Sequence, residues 1–303
     1  MTALRPPLRA LALLAAMVAP LPAFAADCLG RIGPETGIVG RTAYDPFSPA
    51  DLADDYRIGI GNIGAVPCSY GLLFRSRAAQ PMLGTTLAYG LIGASGASLL
   101  TSAPAGMAPL ARLTSPLPPS ATGLSEFQLT IARGQYAAPG TYRDVIDLEL
   151  YALDGGGRAS GPALDTATLA VSVTVQRVLS VNIRGGGLAT TLSFGALSQG
   201  QQRSVAIEAR SNESYRLDVT SDHRGALALT PAVPGREWSV PYAVTFGGQT
   251  LDLSGKASLL SLPPTRPESD ASHPLTVTIG DVGQKRAGRY EDVITVEITA
   301  AIP

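Results

Sequence analysis

The chain has 303 residues, more than one typical domain holds and enough for a leader followed by two domains of roughly 100 to 150 residues each. Its 33 glycines and 24 prolines make it rich in turns, yet 45% of its residues are hydrophobic, enough to build cores and to argue against wholesale disorder. A net charge of −1 with no basic block argues against a nucleic-acid partner, and 2 histidines, 2 cysteines and 1 tryptophan leave little material for metal sites, a bound cofactor or histidine-based catalysis.

Residues 1–25 read as a secretory signal peptide: Arg5 and Arg9, an apolar run over residues 11–21, then the small-residue pattern Ala23-Phe24-Ala25. The mature chain is expected to start at Ala26, and no later stretch approaches the roughly 18 to 20 uninterrupted apolar residues of a membrane-spanning helix. In an oxidising compartment Cys28 and Cys68 are most simply a disulfide, since a metal pair lacks further ligands and a redox pair lacks the C-x-x-C spacing. The turn-like segment Tyr44-Asp45-Pro46-Phe47-Ser48-Pro49 offers Phe47 to a surface. Asp51, Asp54 and Asp55 read as a solvated acidic loop, because no glycine-bearing loop or distant bidentate glutamate completes a calcium site. Gly59, Gly61 and Gly64 fit G-x-G-x-x-G, but Val66-Pro67-Cys68 follows where a dinucleotide site needs a helix.

Residues 78–125 carry a single charged side chain, Arg112, and hold Met82, Leu83, Met107, Leu110, Leu113 and Leu117 among small residues and prolines. Five prolines between 104 and 119 make residues 103–119 a loop. Two readings stay open: these side chains plug the end of their own sandwich, or they form apolar fingers that bind a surface.

After the leader helical spacing is almost absent and period-2 runs recur throughout. Ile146, Leu148 and Leu150 alternate with Asp147 and Glu149; Val205 and Ile207 flank Ala206; Ile294, Val296 and Ile298 alternate with Thr295 and Glu297. The predicted fold class is all-β, with sandwiches whose outer faces are solvated. Leu179, Val181 and Ile183 continue the parity of Leu169, Val171, Val173 and Val175, as expected where one strand closes a first domain and the next opens a second. Asn212-Glu213-Ser214 fits a glycosylation sequon, His223 and His273 lie in turn-like segments without a nucleophile elbow, and Trp238 reads as a partly buried sandwich aromatic.

The chain also repeats itself. Residues 140–146 line up with 288–294, an offset of 148, and Leu129-Thr130-Ile131 falls on Val277-Thr278-Ile279 at the same offset. At drifting offsets Tyr70 matches Tyr215, and Tyr89 matches Tyr242. The copies end differently. Copy one follows its strand at residues 142–152 with a glycine-rich loop and a closing strand at 168–175, whereas after residues 290–300 copy two shows only Ala301, Ile302 and Pro303. Copy two is thus expected to lack a strand and to expose an apolar groove and unpaired backbone groups, which strand addition by a partner remedies.

Three features together resemble the spore coat protein U type domains, the pilins of archaic chaperone/usher pili: Cys28 with Cys68, Leu192-Ser193-Phe194-Gly195 opening copy two, and the pattern Ala287-Gly288-x-Tyr290-x-Asp292-x-Ile294-x-Val296-x-Ile298. The resemblance implies an incomplete immunoglobulin-like sandwich that is held first by a periplasmic chaperone, passed through an outer-membrane usher, and completed by the donor strand of an adjacent pilin subunit. It departs from an ordinary pilin in having two copies, and only Ala26 and Asp27 before Cys28, so the chain is expected to receive a strand without donating one. The expectation is a non-enzymatic tip adhesin, exported through the periplasm to the cell surface, with two tandem immunoglobulin-like sandwiches at 26–176 and 177–303, the second lacking its last strand. Leu192, Phe194, Tyr290, Ile294, Val296 and Ile298 would line the donor-strand groove, and Phe47, Met82, Leu83, Met107, Leu110, Leu113 and Leu117 would meet an abiotic or host surface. The rival expectations are a free-standing secreted β-sandwich binding protein or hydrolase, and an outer-membrane barrel, which the two similar halves, the Pro-rich loops and the lack of a clear aromatic girdle disfavour.

Overall fold

The computed structural model describes residues 28–33, 37–185, 187–233, 238–255, 258–267, 269 and 271–301; the leader expected over 1–25 lies outside them. The described residues form strands and turns with no helix, so none is long and apolar enough to cross a membrane. In chain order the strands are β1 (Gly30–Ile32), β2 (Gly37–Val39), β3 (Leu52–Asn62), β4 (Tyr70–Arg75), β5 (Met82–Leu83), β6 (Leu87–Ala88), β7 (Gly90–Gly93), β8 (Leu100–Thr101), β9 (Ala111–Arg112), β10 (Thr122–Ile131), β11 (Gly140–Leu153) and β12 (Ala159–Val175). They continue with β13 (Leu179–Ile183), β14 (Gln202–Ser211), β15 (Tyr215–Ser221), β16 (Ala226–Thr230), β17 (Ser239–Phe246), β18 (Gln249–Leu251), β19 (Ser258–Leu262), β20 (Ser272–Ile279), β21 (Arg289–Glu291) and β22 (Ile294–Ala300).

Two sheets, ordered β1-β3-β10-β7 and β2-β12-β11-β4-β8, enclose one cluster of buried apolar side chains between Ile32 and Val175. Two more, ordered β13-β14-β20-β17-β16-β21 and β19-β15-β22, enclose a second cluster built on Ile207, Leu217, Val244 and Val277. The alternating runs explain this arrangement. Along β3, Leu52, Tyr56, Ile58 and Ile60 turn inward while Ala53, Asp55 and Arg57 face water, and on its neighbour β10 Phe127, Leu129 and Ile131 do the same. Both pairs of sheets are open and both interiors are filled with side chains, unlike the closed sheet of a barrel.

The 148-residue offset survives in three dimensions: β10 shifted by that amount falls on β20, and β11 falls on β21 and β22. Beyond expectation, β12 starts at Ala159 rather than near 168. The Asp154 side chain nucleates a tight hairpin by accepting the N–H groups of Gly156 at 2.9 Å and Arg158 at 2.8 Å, so pairing with β11 begins at once.

Cys28 and Cys68 form a disulfide across a separation of 40 residues, their Cα atoms 5.9 Å apart. It ties the chain start to the segment before β4. Closing a loop of that length stabilises the fold by about 4 kcal/mol. Replacing both cysteines by serine should therefore lower the unfolding free energy of the first half by about that amount, read from its urea midpoint and slope, and a variant melting with wild type would show that the loop is already closed by β1 and β3.

Candidate functional site

The first half closes itself. β12 runs antiparallel to β11, from Gly140 opposite Val175 to Leu153 opposite Ala159, and its other edge takes β2 in parallel, Gly37 opposite Ala170. Lying between these neighbours, β12 seals the apolar face of β11: Ile146, Leu148 and Leu150 are 0%, 1% and 0% exposed.

The second half has the flanks of that arrangement. β22 pairs with β15, Ile294 opposite Ser221 and Ala300 opposite Tyr215, and its far edge carries no strand among the described residues. Ile294, Val296 and Ile298, the counterparts of the three sealed residues, are only half-buried, as is Tyr290. Residues 192–197 follow β13 as β2 follows β1. Leu192, Phe194 and Leu197 pack against the second cluster, yet the segment joins no sheet and its backbone N–H groups find no backbone acceptor among the described residues. The Phe194 carbonyl accepts instead from the Gln201 side chain at 2.8 Å, and that of Ser193 from Arg203 at 3.3 Å. The start of the last strand is also rerouted: Gly140 to Arg143 pair with β12, whereas Arg289, Tyr290 and Glu291 cross to β16 in the opposite sheet. All six residues expected in the groove therefore pack on one cluster, flanking the course that β12 follows in the first half.

A partly buried aspartate fixes each copy where this strand begins. In the first half Tyr89 donates its hydroxyl hydrogen to Asp144 at 2.7 Å; in the second Tyr242 donates to Asp292, which also accepts from Ser221 at 2.6 Å and from the Val293 N–H at 2.8 Å. His223 Nδ1 lies 3.0 Å from the same carboxylate. Burial raises the Asp292 pKa, but these hydrogen bonds outweigh it and hold the carboxyl below the usual carboxylate range, while burial pushes Tyr242 up. Serine, histidine and aspartate meet here without making a relay. Ser221 Oγ bonds the aspartate and accepts the Gly225 N–H at 2.7 Å, and His223 meets the aspartate alone. The group is an anchor.

The seven residues expected to meet a surface are not brought together. Leu113 and Leu117 lie over Gly123 on β10, where any side chain would strike them, and Leu117 exchanges backbone bonds with Cys68 at 3.0 and 2.8 Å, so both plug the sandwich end beside the disulfide. Leu110 is half-buried over Gly71, and Met107 alone is 80% exposed. Leu83 is fully buried and Met82 half-buried near Tyr142, at the opposite end of β11, while Phe47 sits beside Arg133 and Thr265 where the two halves meet. Two exposed leucine-like residues at the Met107 end were not singled out from sequence: Leu29, and Ile63, whose N–H bonds the Leu29 carbonyl at 2.9 Å. The one available signal was that Ile63 breaks the inward parity of Ile58, Ile60 and Asn62.

The remaining motifs have structural duties. Asp54 and Asp55 lie on β3 rather than in a loop; Asp54 is buried and accepts the N–H groups of Arg41 and Thr42, Asp55 accepts from Gln128, and Asp51 caps the Arg133 N–H. Gly59 lies within β3, its carbonyl taking the Gly33 N–H at 2.7 Å. Asn212 of the sequon is buried, accepting from the Val178 N–H at 2.9 Å and donating to the carbonyls of Gln176 and Ala137, which pins the chain between β12 and β13. Trp238 is half-buried, its carbonyl taking the Leu229 N–H.

No family model matches the chain, and no curated protein does. Among solved structures it is similar to the chaperone–tip adhesion subunit pre-assembly complex of the archaic Csu pili of Acinetobacter baumannii, at 14% identity over 86% of this chain and 96% of that one, TM-score 0.43. It is also similar to the CupB6 tip adhesin of Pseudomonas aeruginosa, at 10% identity over 90% and 94%, TM-score 0.40. A third is the CFA/I adhesin CfaE, in mutant form, of enterotoxigenic E. coli, at 11% identity over 88% and 92%, TM-score 0.39.

Asp292, 2% exposed, links the anchor to pH. With its folded pKa below the unfolded value of about 3.9, its contribution is complete above roughly pH 5 and is lost as pH falls through the folded pKa. Asp292→Asn should cost about 1 to 3 kcal/mol at pH 7, and the cost should shrink as the pH is lowered toward and through the folded pKa. Urea melts across that pH range check this, and an equal loss throughout would mean that the charge is irrelevant.

Proposed function

We propose that this chain is the tip adhesin subunit of a chaperone/usher pilus: an exported two-domain protein, divided at 176/177, whose second domain receives a strand from another chain and whose first domain meets a surface. The observation that carries the reading is the contrast between Ile146, Leu148 and Leu150, sealed under β12, and Ile294, Val296 and Ile298, half-buried beside an edge with no strand among the described residues. An apolar face next to unpaired backbone groups is an aggregation hazard, and a donated strand removes both problems at once.

β12 supplies the template for the donor. It runs antiparallel to the strand whose face it seals and turns Leu169, Val171, Val173 and Val175 inward. A donor would likewise run antiparallel to β22, with alternate apolar residues facing Phe194 and Val296. A periplasmic pilus chaperone lends such a strand after export, and the adjacent pilin subunit replaces it at the outer-membrane usher. The first domain meets an abiotic or host surface with the pole where Met107, Leu110, Leu29 and Ile63 gather. That pole is the distant one: the β11–β12 turn lies at the start of a 17-residue strand, roughly 50 Å from the Val175 end that leads into β13. A free-standing binding protein or hydrolase would close its own second sandwich.

Fusing the sequence of residues 165–175 after Pro303 through a glycine-serine linker tests this. Sealing three half-buried side chains, at about 1 kcal/mol each, should raise the melting temperature of the second half by roughly 10 °C. A control with aspartate at the apolar positions should not. Equal melting of the fused and unfused chains would mean that the second half is already closed.

A further inference from the structure

The distant pole carries a cleft of about 410 Å³, lined by Gly106, Met107, Leu110, Arg112, Gly157 and Arg158 among others. Its two charged side chains are both arginines, and among the described residues neither guanidinium donates a hydrogen bond or joins an ion pair. The carboxylate nearest in sequence, Asp154, is occupied by the N–H groups of Gly156 and Arg158 within the turn, although Arg158 also acts on it electrostatically. Arg112 is placed by the fold: it lies on β9, opposite Gly71 of β4, and its guanidinium rests against Gly157. At Gly157, φ is +75° and a Cβ would stand 2.6 Å from Arg112 Nη1, so only glycine fits this turn without displacing the arginine.

Beside the arginines two sizeable aliphatic side chains line the cleft, the 80% exposed Met107 and half-buried Leu110, among alanines and glycines whose backbone adds polar surface, and there is no aromatic ring on which a sugar would stack. A flexible thioether and a leucine suit an alkyl chain, and two guanidiniums whose hydrogen-bond donors are unused suit an anionic oxygen group. The volume matches that of small-molecule sites. We propose that this cleft binds a single-chain anionic amphiphile, its phosphate or carboxylate held between Arg112 and Arg158 and its alkyl chain laid along Met107 and Leu110. The inference deepens, and rests on, the reading of this pole as the contact end.

Titration calorimetry of the full chain with dodecyl phosphate below its micelle concentration tests it, with dodecyl maltoside and inorganic phosphate as separate arms. Saturable 1:1 binding of dodecyl phosphate is expected, with at least tenfold weaker binding of the uncharged amphiphile and of phosphate alone. Arg112→Gln with Arg158→Gln should weaken binding at least tenfold without lowering the melting temperature, since both side chains are surface groups. Equal binding of the two amphiphiles, an unaffected double variant, or no binding at all would overturn the proposal. Running the same titration on the strand-fused chain separates the two readings: a raised melting temperature with no binding removes the cleft alone, and binding through the arginines with an unchanged melting temperature removes the strand acceptor alone.

Discussion

A β-sandwich is stable only if the strand edge beside its apolar interior is covered, because the same strand that hides the side chains also pairs the backbone N–H and C=O groups. In the first half β12 meets both demands from within the chain, lying between β11 and β2. The second half repeats the flanks, β22 and residues 192–197, and among the described residues no strand lies between them. Ile294, Val296 and Ile298 are half-buried beside that edge, side chains bond the Ser193 and Phe194 carbonyls, and β21 pairs with β16 in the opposite sheet.

Polar anchors keep the uncovered edge in place. Asp292 stands where the chain leaves β21 in one sheet and enters β22 in the other, and its bonds to Ser221, Tyr242 and the Val293 N–H fix that crossing from three directions. An edge held in its final course loses less entropy when a strand arrives than one that must first be ordered. Asn212 does similar work at the joint, where one buried amide bridges Ala137, Gln176 and Val178, so that the end of β12 and the start of β13 are tied to the first turn after β14.

Much of the scaffold was legible because alternation is a property of single strands. The runs at residues 146–150 and 294–298 identified both their strands and their inward faces, and the offset of 148 identified them as counterparts. The disulfide was legible because only two cysteines exist. What escaped depends on which element lies against which. Leu113 and Leu117 look like exposed loop residues until Gly123 of β10 is seen beneath them, and Asp54 looks solvated until the Arg41–Thr42 backbone closes over it. Leu83 was grouped with Met107 by composition and Phe47 was offered by a separate turn-like segment, but the fold sends both to the other end of the first half. The cleft between Arg112 and Arg158 was invisible, since those residues are 46 positions apart and meet only through the β9–β4 pairing and the β11–β12 turn.

The central claim is that the corresponding strands β11 and β22 differ in coverage, and amide hydrogen exchange measures this most directly. In the isolated full chain the Asp147–Ala152 stretch of β11, paired on both edges, should be protected throughout, while in β22 every second amide, those not bonded to β15, should exchange orders of magnitude faster and become protected when a β12-like strand is supplied. Uniform protection along β22 in the isolated chain would contradict the account, because it would mean that the second half already holds a strand on that edge.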